Sequence, residues 1–139
     1  MPFNFKINGI QVKLWGANYT PANGLTHVYD HDRATKILDM AETGNMNSLR
    51  MWGGGNRVDD VFYDEADRRG ILIWQEFPNN FGMQPDSDEI RDLCRQEAAY
   101  YIRTYRHHPS IILWCGGNEN YMGRDFSYPG EPFIGREIF

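Results

Sequence analysis

Two uninterrupted apolar runs, Ile71-Leu72-Ile73-Trp74 and Ile111-Ile112-Leu113-Trp114, constrain the fold more than any other feature of the chain. A strand with one wet face alternates apolar and polar residues. A strand covered on both faces has no such need, and runs of this kind belong to parallel sheets. Each run follows a segment with helical spacing. Before the second, Ile90, Leu93, Cys94, Ala98, Tyr101, Ile102 and Tyr105 keep a helical period, with Glu97 the one polar member of the series. Asp86 with Glu89 three residues on resembles a capping box at its start, and His108-Pro109 closes it. Before the first run, a helix is expected from Asp60 to Arg69, ended by Gly70.

The upstream half repeats the alternation. Asn8-Gly9 lies between the arms Phe3, Phe5, Ile7 and Ile10, Val12, Leu14, the strongest short-range hairpin signal. The second arm is expected to run on through Trp15-Gly16-Ala17-Asn18. A loop from Tyr19 to His31 precedes a helix with Ala34, Ile37, Leu38 and Ala41 on one face, capped by Asp30 or Asp32 and stopped by Gly44. Met46 to Trp52 reads as a short strand. The order is therefore hairpin, βα, βα, βα, β, which implies a parallel sheet with right-handed crossovers. An open doubly wound sheet and half of a (β/α)8 barrel both fit this order. A complete barrel takes about 250 residues, and this chain has 139. The tail from Tyr121 to Phe139 reads as the loop after the fourth strand, with a next helix starting near Ile134, so the end at Phe139 looks like a cut within the fold.

Composition narrows the partners. Hydrophobic residues make up 41% of the chain, enough for a packed core. The 14 Lys and Arg against 19 Asp and Glu leave a net charge of −5, which argues against nucleic acid and anionic membrane surfaces. No stretch approaches 18 apolar residues, and residues 1–6 lack the apolar core of a signal segment. Cys94 and Cys115 fit two buried free thiols, with a disulfide as the alternative, and define no redox compartment.

The chemistry gathers where the strands end. The four ends are Gly16-Ala17-Asn18, Arg50-Met51-Trp52, Gln75-Glu76-Phe77 and Gly116-Gly117-Asn118-Glu119. In parallel α/β folds that edge is where sites are built. Asn118-Glu119 is the sharpest pair. A glutamate in a narrow aromatic mouth has its pKa raised by desolvation, as a general acid needs. The plain alternative is a helix N-terminus supported by Asn118 or Glu119. Arg50 fits a salt bridge to Glu76 or Glu119 as well as it fits a substrate contact. Glu76 reads as a second active-site carboxylate, an ion-pair partner or a hydroxyl binder. Trp52 is placed for stacking on a ligand, whereas Trp74 and Trp114 read as core. His107-His108 has no Cys or carboxylate at ligand spacing, and Gly53-Gly54-Gly55 lacks the Lys-Ser/Thr of a phosphate loop, so no metal or cofactor is expected.

These motifs carry a resemblance. His108-Pro109-Ser110-Ile111-Ile112-Leu113-Trp114-Cys115-Gly116-Gly117-Asn118-Glu119-Asn120 resembles the acid/base segment of glycoside hydrolase family 2, closest to its β-mannosidase branch. Asn47 to Gly55 is similar to that branch's second strand and Trp-Gly-Gly-Gly turn, and Gly70 to Gln75 to its third strand. Ile7-Asn8-Gly9 and Gly16 to Pro21 resemble the passage from an immunoglobulin-like domain into the barrel. The resemblance runs from about Phe5 to Asn120. It implies a hairpin over residues 1–15 and the N-terminal half of a TIM barrel over 16–139, about four βα units. It implies a retaining glycosidase acting on terminal β-mannosides, with Glu119 as acid/base, Asn118 on the hydroxyl beside the anomeric carbon, and Trp52, Arg50 and Glu76 around the sugar. The nucleophile would lie on a later strand, outside this chain. Two departures stand out: Glu76 replaces the usual Asp, and the loop Pro78 to Met83 does not follow the branch pattern. Other β-sugars, of the exo-β-glucosaminidase or β-galactosidase type, therefore stay open, as does a non-catalytic sugar-binding half-barrel. Half a barrel would also expose apolar edges, and self-association through them is expected.

Overall fold

The computed structural model describes residues 4–20, 31–55, 57–81, 87–127 and 129–130. The chain opens with a hairpin of β1 (Phe5–Ile7) and β2 (Ile10–Val12), paired Phe5 to Val12 and Ile7 to Ile10. Asn8 and Gly9 turn with φ of 51° and 82°, both positive as a type I′ turn requires. The second arm stops at Val12 rather than running on. β3 (Gly16–Tyr19) is a separate strand that joins the other sheet. Asn47 brackets the link between them, donating from Nδ2 to the Lys13 carbonyl (2.9 Å) and accepting from the Trp15 N–H (2.7 Å).

From β3 onward the alternation holds. α1 (His31–Thr43), β4 (Ser48–Met51), α2 (Asp60–Arg69), β5 (Leu72–Glu76), α3 (Asp88–Tyr105) and β6 (Ile111–Cys115) follow in turn. The sheet order is β3-β4-β5-β6, all parallel, with one bulge that skips Ile112 between the pairs Ile73–Ile111 and Trp74–Leu113. The helices bury one face. Leu38 and Ala41 of α1, Phe62, Tyr63 and Ala66 of α2, and Tyr101 and Tyr105 of α3 form one cluster with Leu49, Met51 and Ile73 of the strands. The opposite face carries the register mates Asn18, Arg50 and Trp74 along an open hollow. A doubly wound sheet is covered on both faces. A sheet covered on one face only is an arc of a (β/α)8 barrel, and these four strands are half the complement. The alternation along β5 follows from this: Ile73 is buried under the helices, whereas Leu72 and Trp74 are only half-buried on the other face.

The helix ends show where local signals work and where they mislead. α2 begins with Asp59, whose carboxylate accepts from the Val61 N–H, and ends at Gly70 with φ 71°. There Ile71 N–H reaches the Ala66 carbonyl and Gly70 N–H that of Asp67, a Schellman closure. α1 closes in the same way, but Asn45 takes the left-handed position (φ 53°), not the expected Gly44, since the bonds run from Asn45 to Glu42 and Met46 to Ala41. Asp30 lies outside the described residues, and Asp32 sits inside the first turn rather than capping it. Ser87 caps α3 by accepting from Ile90 N–H (3.3 Å), so no capping box forms with Glu89, and Asp86 lies outside the described residues. The apolar series of α3 is also only partly a buried face: Tyr101 and Tyr105 are buried, whereas Leu93 and Ile102 are exposed. The tail differs most from expectation. α4 (Asn120–Ser127) follows β6 after the short link 116–119, where a loop was expected. Residues 134–139 lie outside the described residues. Cys94 and Cys115 are free and half-buried.

Candidate active site

Four parallel strands deliver their C-terminal ends to one edge. Asn18 and Arg50 are register mates on β3 and β4, Glu76 is the last residue of β5, and Asn118 follows β6 by three residues. Arg50 is the hub. Its Nε donates to Glu76 Oε1 (2.6 Å), its Nη1 to Asn18 Oδ1 (3.2 Å) and its Nη2 to Asn118 Oδ1 (2.7 Å). The second carboxylate oxygen of Glu76 accepts from the Gly53 N–H (2.8 Å). Glu76 is 1% exposed and Arg50 28%. The pair is thus sealed on the acid's side and open on the cation's side. Of the roles open to Arg50 in the sequence, the ion pair with Glu76 is formed, and its other donors reach toward the cleft.

β5 is held at this end by a buried chain. The Tyr63 hydroxyl donates to Gln75 Oε1 (2.5 Å), and Gln75 Nε2 donates to the Glu76 carbonyl (2.7 Å). Burial, then the neighbouring Tyr105, pushes the Tyr63 phenol well above its ordinary pKa, so it stays a donor.

Two glycines let the loops close over the pair. A Cβ on Gly53 would lie 2.6 Å from the Phe77 carbonyl oxygen and 2.7 Å from that of Asn79. A Cβ on Gly117 would lie 2.8 Å from the same Asn79 oxygen. That oxygen accepts from Asn118 N–H (2.9 Å). Only side-chain-free backbone fits on either side of it.

Above the Arg50 hub lies a cleft of about 420 Å³, lined by Asn18, Thr20, Arg50, Trp52, Asn80, Phe81, Asn118 and Glu119. Four of the five residues expected at a site, Glu119, Asn118, Trp52 and Arg50, are brought together on its walls. Glu76 lies beneath it. Glu119 is exposed, not desolvated in a narrow mouth, and among the described residues no side-chain bond engages its carboxylate. Its backbone is unusual. Three described non-glycine residues have positive φ: Asn8, Asn45 and Glu119 at 55°. Asparagine tolerates this region, whereas glutamate is disfavoured there by roughly 1–2 kcal/mol. The Glu119 carbonyl also accepts from Gly123 N–H (2.8 Å), so Glu119 opens α4. The helix-terminus reading is therefore realised at the same residue.

Sequence reasoning missed Asn80 and Phe81. Their loop, Pro78 to Met83, reads in the sequence as a departure from the family pattern that could shape the sugar pocket, with neither residue singled out. The available signal was the Asn79-Asn80 pair directly after a strand end, where polar side chains collect.

A one-sided arc of parallel βα units, with polar side chains gathered at the C-terminal strand ends, has the architecture of half a (β/α)8 barrel. The family model for "Glycosyl hydrolases family 2, TIM barrel domain" matches residues 4–129, and the chain belongs to that family. It is 38% identical over 120 residues to a β-mannosidase B of Aspergillus clavatus, and 39% over 120 residues to a β-mannosidase of Capra hircus. Each match covers 86% of this chain and 14% of the relative, so the chain spans about a seventh of their length. The solved β-D-mannosidase of Dictyoglomus thermophilum superposes with a TM-score of 0.89 at 38% identity, over 98% of this chain and 17% of that one. A Parabacteroides merdae β-glucuronidase follows at 0.73 and 26%, covering 91% and 15%.

Proposed function

We propose that this chain supplies the acid/base half of a retaining β-mannosidase site. Glu119 is the general acid/base, Asn118 binds the hydroxyl beside the anomeric carbon, and Trp52 and Arg50 line the sugar subsite. Glu76 acts from below, as the counter-charge that fixes Arg50. One observation carries the reading: Glu119 stands in a disfavoured left-handed conformation on the wall of the strand-end cleft, with no partner for its carboxylate among the described residues. Strain held at such a place marks function more often than packing. The nucleophile belongs to a polypeptide segment outside this chain. Retention needs a second carboxyl about 5–5.5 Å from the first, and Glu76, with both oxygens engaged, does not offer one. The relatives at 38–39% identity are β-mannosidases, which favours mannosides over other β-sugars.

The test places this chain in the corresponding position of the Dictyoglomus thermophilum enzyme and assays a panel of nitrophenyl β-glycosides. Turnover of the β-mannoside is expected, and Glu119→Gln should lower it by about 10²–10⁴-fold, the usual weight of general acid catalysis. A dinitrophenyl leaving group, which needs no proton, should restore much of the loss. Equal rates for Glu119→Gln and the parent on both substrates would remove the assignment. Turnover by the chain on its own would place the nucleophile within it, with Glu76 the first suspect.

The domain reading, with the hairpin over 1–15 leading into barrel residues 16–139, belongs to the same proposal, as does association through the exposed half-barrel edge. A clean monomer by light scattering would count against association.

A further inference from the structure

The hydrogen bonds around Asn118 admit one orientation of each amide. Arg50 is donor-only, so the Asn118 atom facing its Nη2 at 2.7 Å is Oδ1. The Phe81 N–H is likewise donor-only, so the Asn80 atom facing it at 2.8 Å is Oδ1. That same Asn80 oxygen lies 2.8 Å from Asn118 Nδ2 and accepts from it. The relay runs from the acceptor-only Glu76, through Arg50 and Asn118, to Asn80 and the Phe81 backbone. Every polarity along it is set by a neighbour. Asn80 also accepts at its carbonyl from Asn120 Nδ2 (3.3 Å), so it grips the residues on both sides of Glu119.

We infer that Asn80 is a positioning residue: by accepting one Asn118 amide hydrogen it turns the other toward the cleft, so that the site meets a sugar hydroxyl as a donor, and it fixes the segment that carries Glu119. The inference rests on the reading of Asn118 and Glu119 as sugar-binding and acid/base groups. A hydroxyl held in this way accepts from Asn118 and keeps its own proton for another acceptor.

The test is hydrogen exchange of the Asn118 side-chain amide in this chain, followed by NMR, which needs no turnover. A failed acid/base assignment in the hybrid enzyme therefore leaves this result readable, and the reverse holds too. In the parent chain one Asn118 amide hydrogen should exchange about tenfold more slowly than the other, as the loss of one hydrogen bond implies. Asn80→Ala should abolish the difference while the ring signals of Tyr63 and Tyr105 stay in place. Asn80→Asp keeps both side-chain acceptor roles and should preserve the difference, which a general loosening of the loop would not allow. Unchanged exchange in Asn80→Ala overturns the inference. So does loss of protection in Asn80→Asp, which also decides the matter if the alanine variant shifts the ring signals.

Discussion

The two ends of the sheet use the same device for different ends. At the C-terminal edge, Glu76 joins the Gly53 N–H to the Arg50 guanidinium. At the N-terminal edge, Asp67 of α2 joins the Ser110 N–H (2.9 Å) to His108 Nδ1 (2.8 Å). Each is a carboxylate pinning one backbone donor and one ring or guanidinium donor across two βα connections. They differ in what the second partner does next. Arg50 has donors left over, and these reach Asn18, Asn118 and the cleft. His108 is 1% exposed, lies against Tyr63 and Tyr105, and its Nε2 has no partner among the described residues. A buried acid is a clamp by default. It becomes part of a site when its partner has unspent hydrogen-bonding capacity facing solvent.

The sharpest way to break this contrast is Glu76→Ala. It strands Arg50, and because the guanidinium is a quarter exposed the loss should sit at the low end of the range for a broken buried pair, about 3 kcal/mol. Urea denaturation reads it. The same variant should also uncouple Asn118, so activity of the hybrid enzyme should fall by more than the folded fraction does. Asp67→Ala should cost about 2 kcal/mol, the loss of two hydrogen bonds to a charged acceptor, one of which leaves a buried donor unmet. Its kcat/KM per folded molecule should be unchanged. If it is not, the N-terminal clamp reaches the site and the contrast fails.

A graded version uses pH. Burial opposes ionisation of Asp67, but the hydrogen bonds from Ser110 and His108 outweigh it and hold the carboxyl below its ordinary value. The folded state therefore binds fewer protons than the unfolded one. The stabilisation is complete above the ordinary carboxylate value of about 3.9 and drains away as pH falls through the lower folded value. Asp67→Asn should flatten that acid limb in denaturation midpoints taken down the pH scale. The smallest effect sharpens the functional side. Glu119→Gly should stabilise the chain by about 1 kcal/mol relative to Glu119→Ala, because it relieves a left-handed side-chain clash.

The sequence was most informative where a signal was local and its cause was local too. Asp60 to Arg69 and its stop at Gly70 were legible because a cap and a left-handed glycine act within one turn. The choice between a doubly wound sheet and a barrel arc was not, because it depends on which face the helices cover, and an apolar run reads alike in both. α4 was hidden by Gly123 and by aromatics that resemble a loop. Glu76 was recognised as a strand-end carboxylate, but its burial depends on Arg50 and Gly53, which lie more than twenty residues away. Asn80 was legible only as part of a loop that could shape the pocket, because its partners, Asn118 and Asn120, are brought to it by the β5–β6 pairing.

The backbone at Glu119 has a consequence for ancestry. Its conformation is one that glycine or asparagine would hold more comfortably, so a glutamate stands there against the preference of the backbone. On the proposed acid/base role, a descendant relieved of that chemistry would gain stability by dropping this glutamate, and drift would favour the change. Across natural variants of this chain, the identity of position 119 would then separate working lineages from relics, while the Asp67 clamp would persist in both.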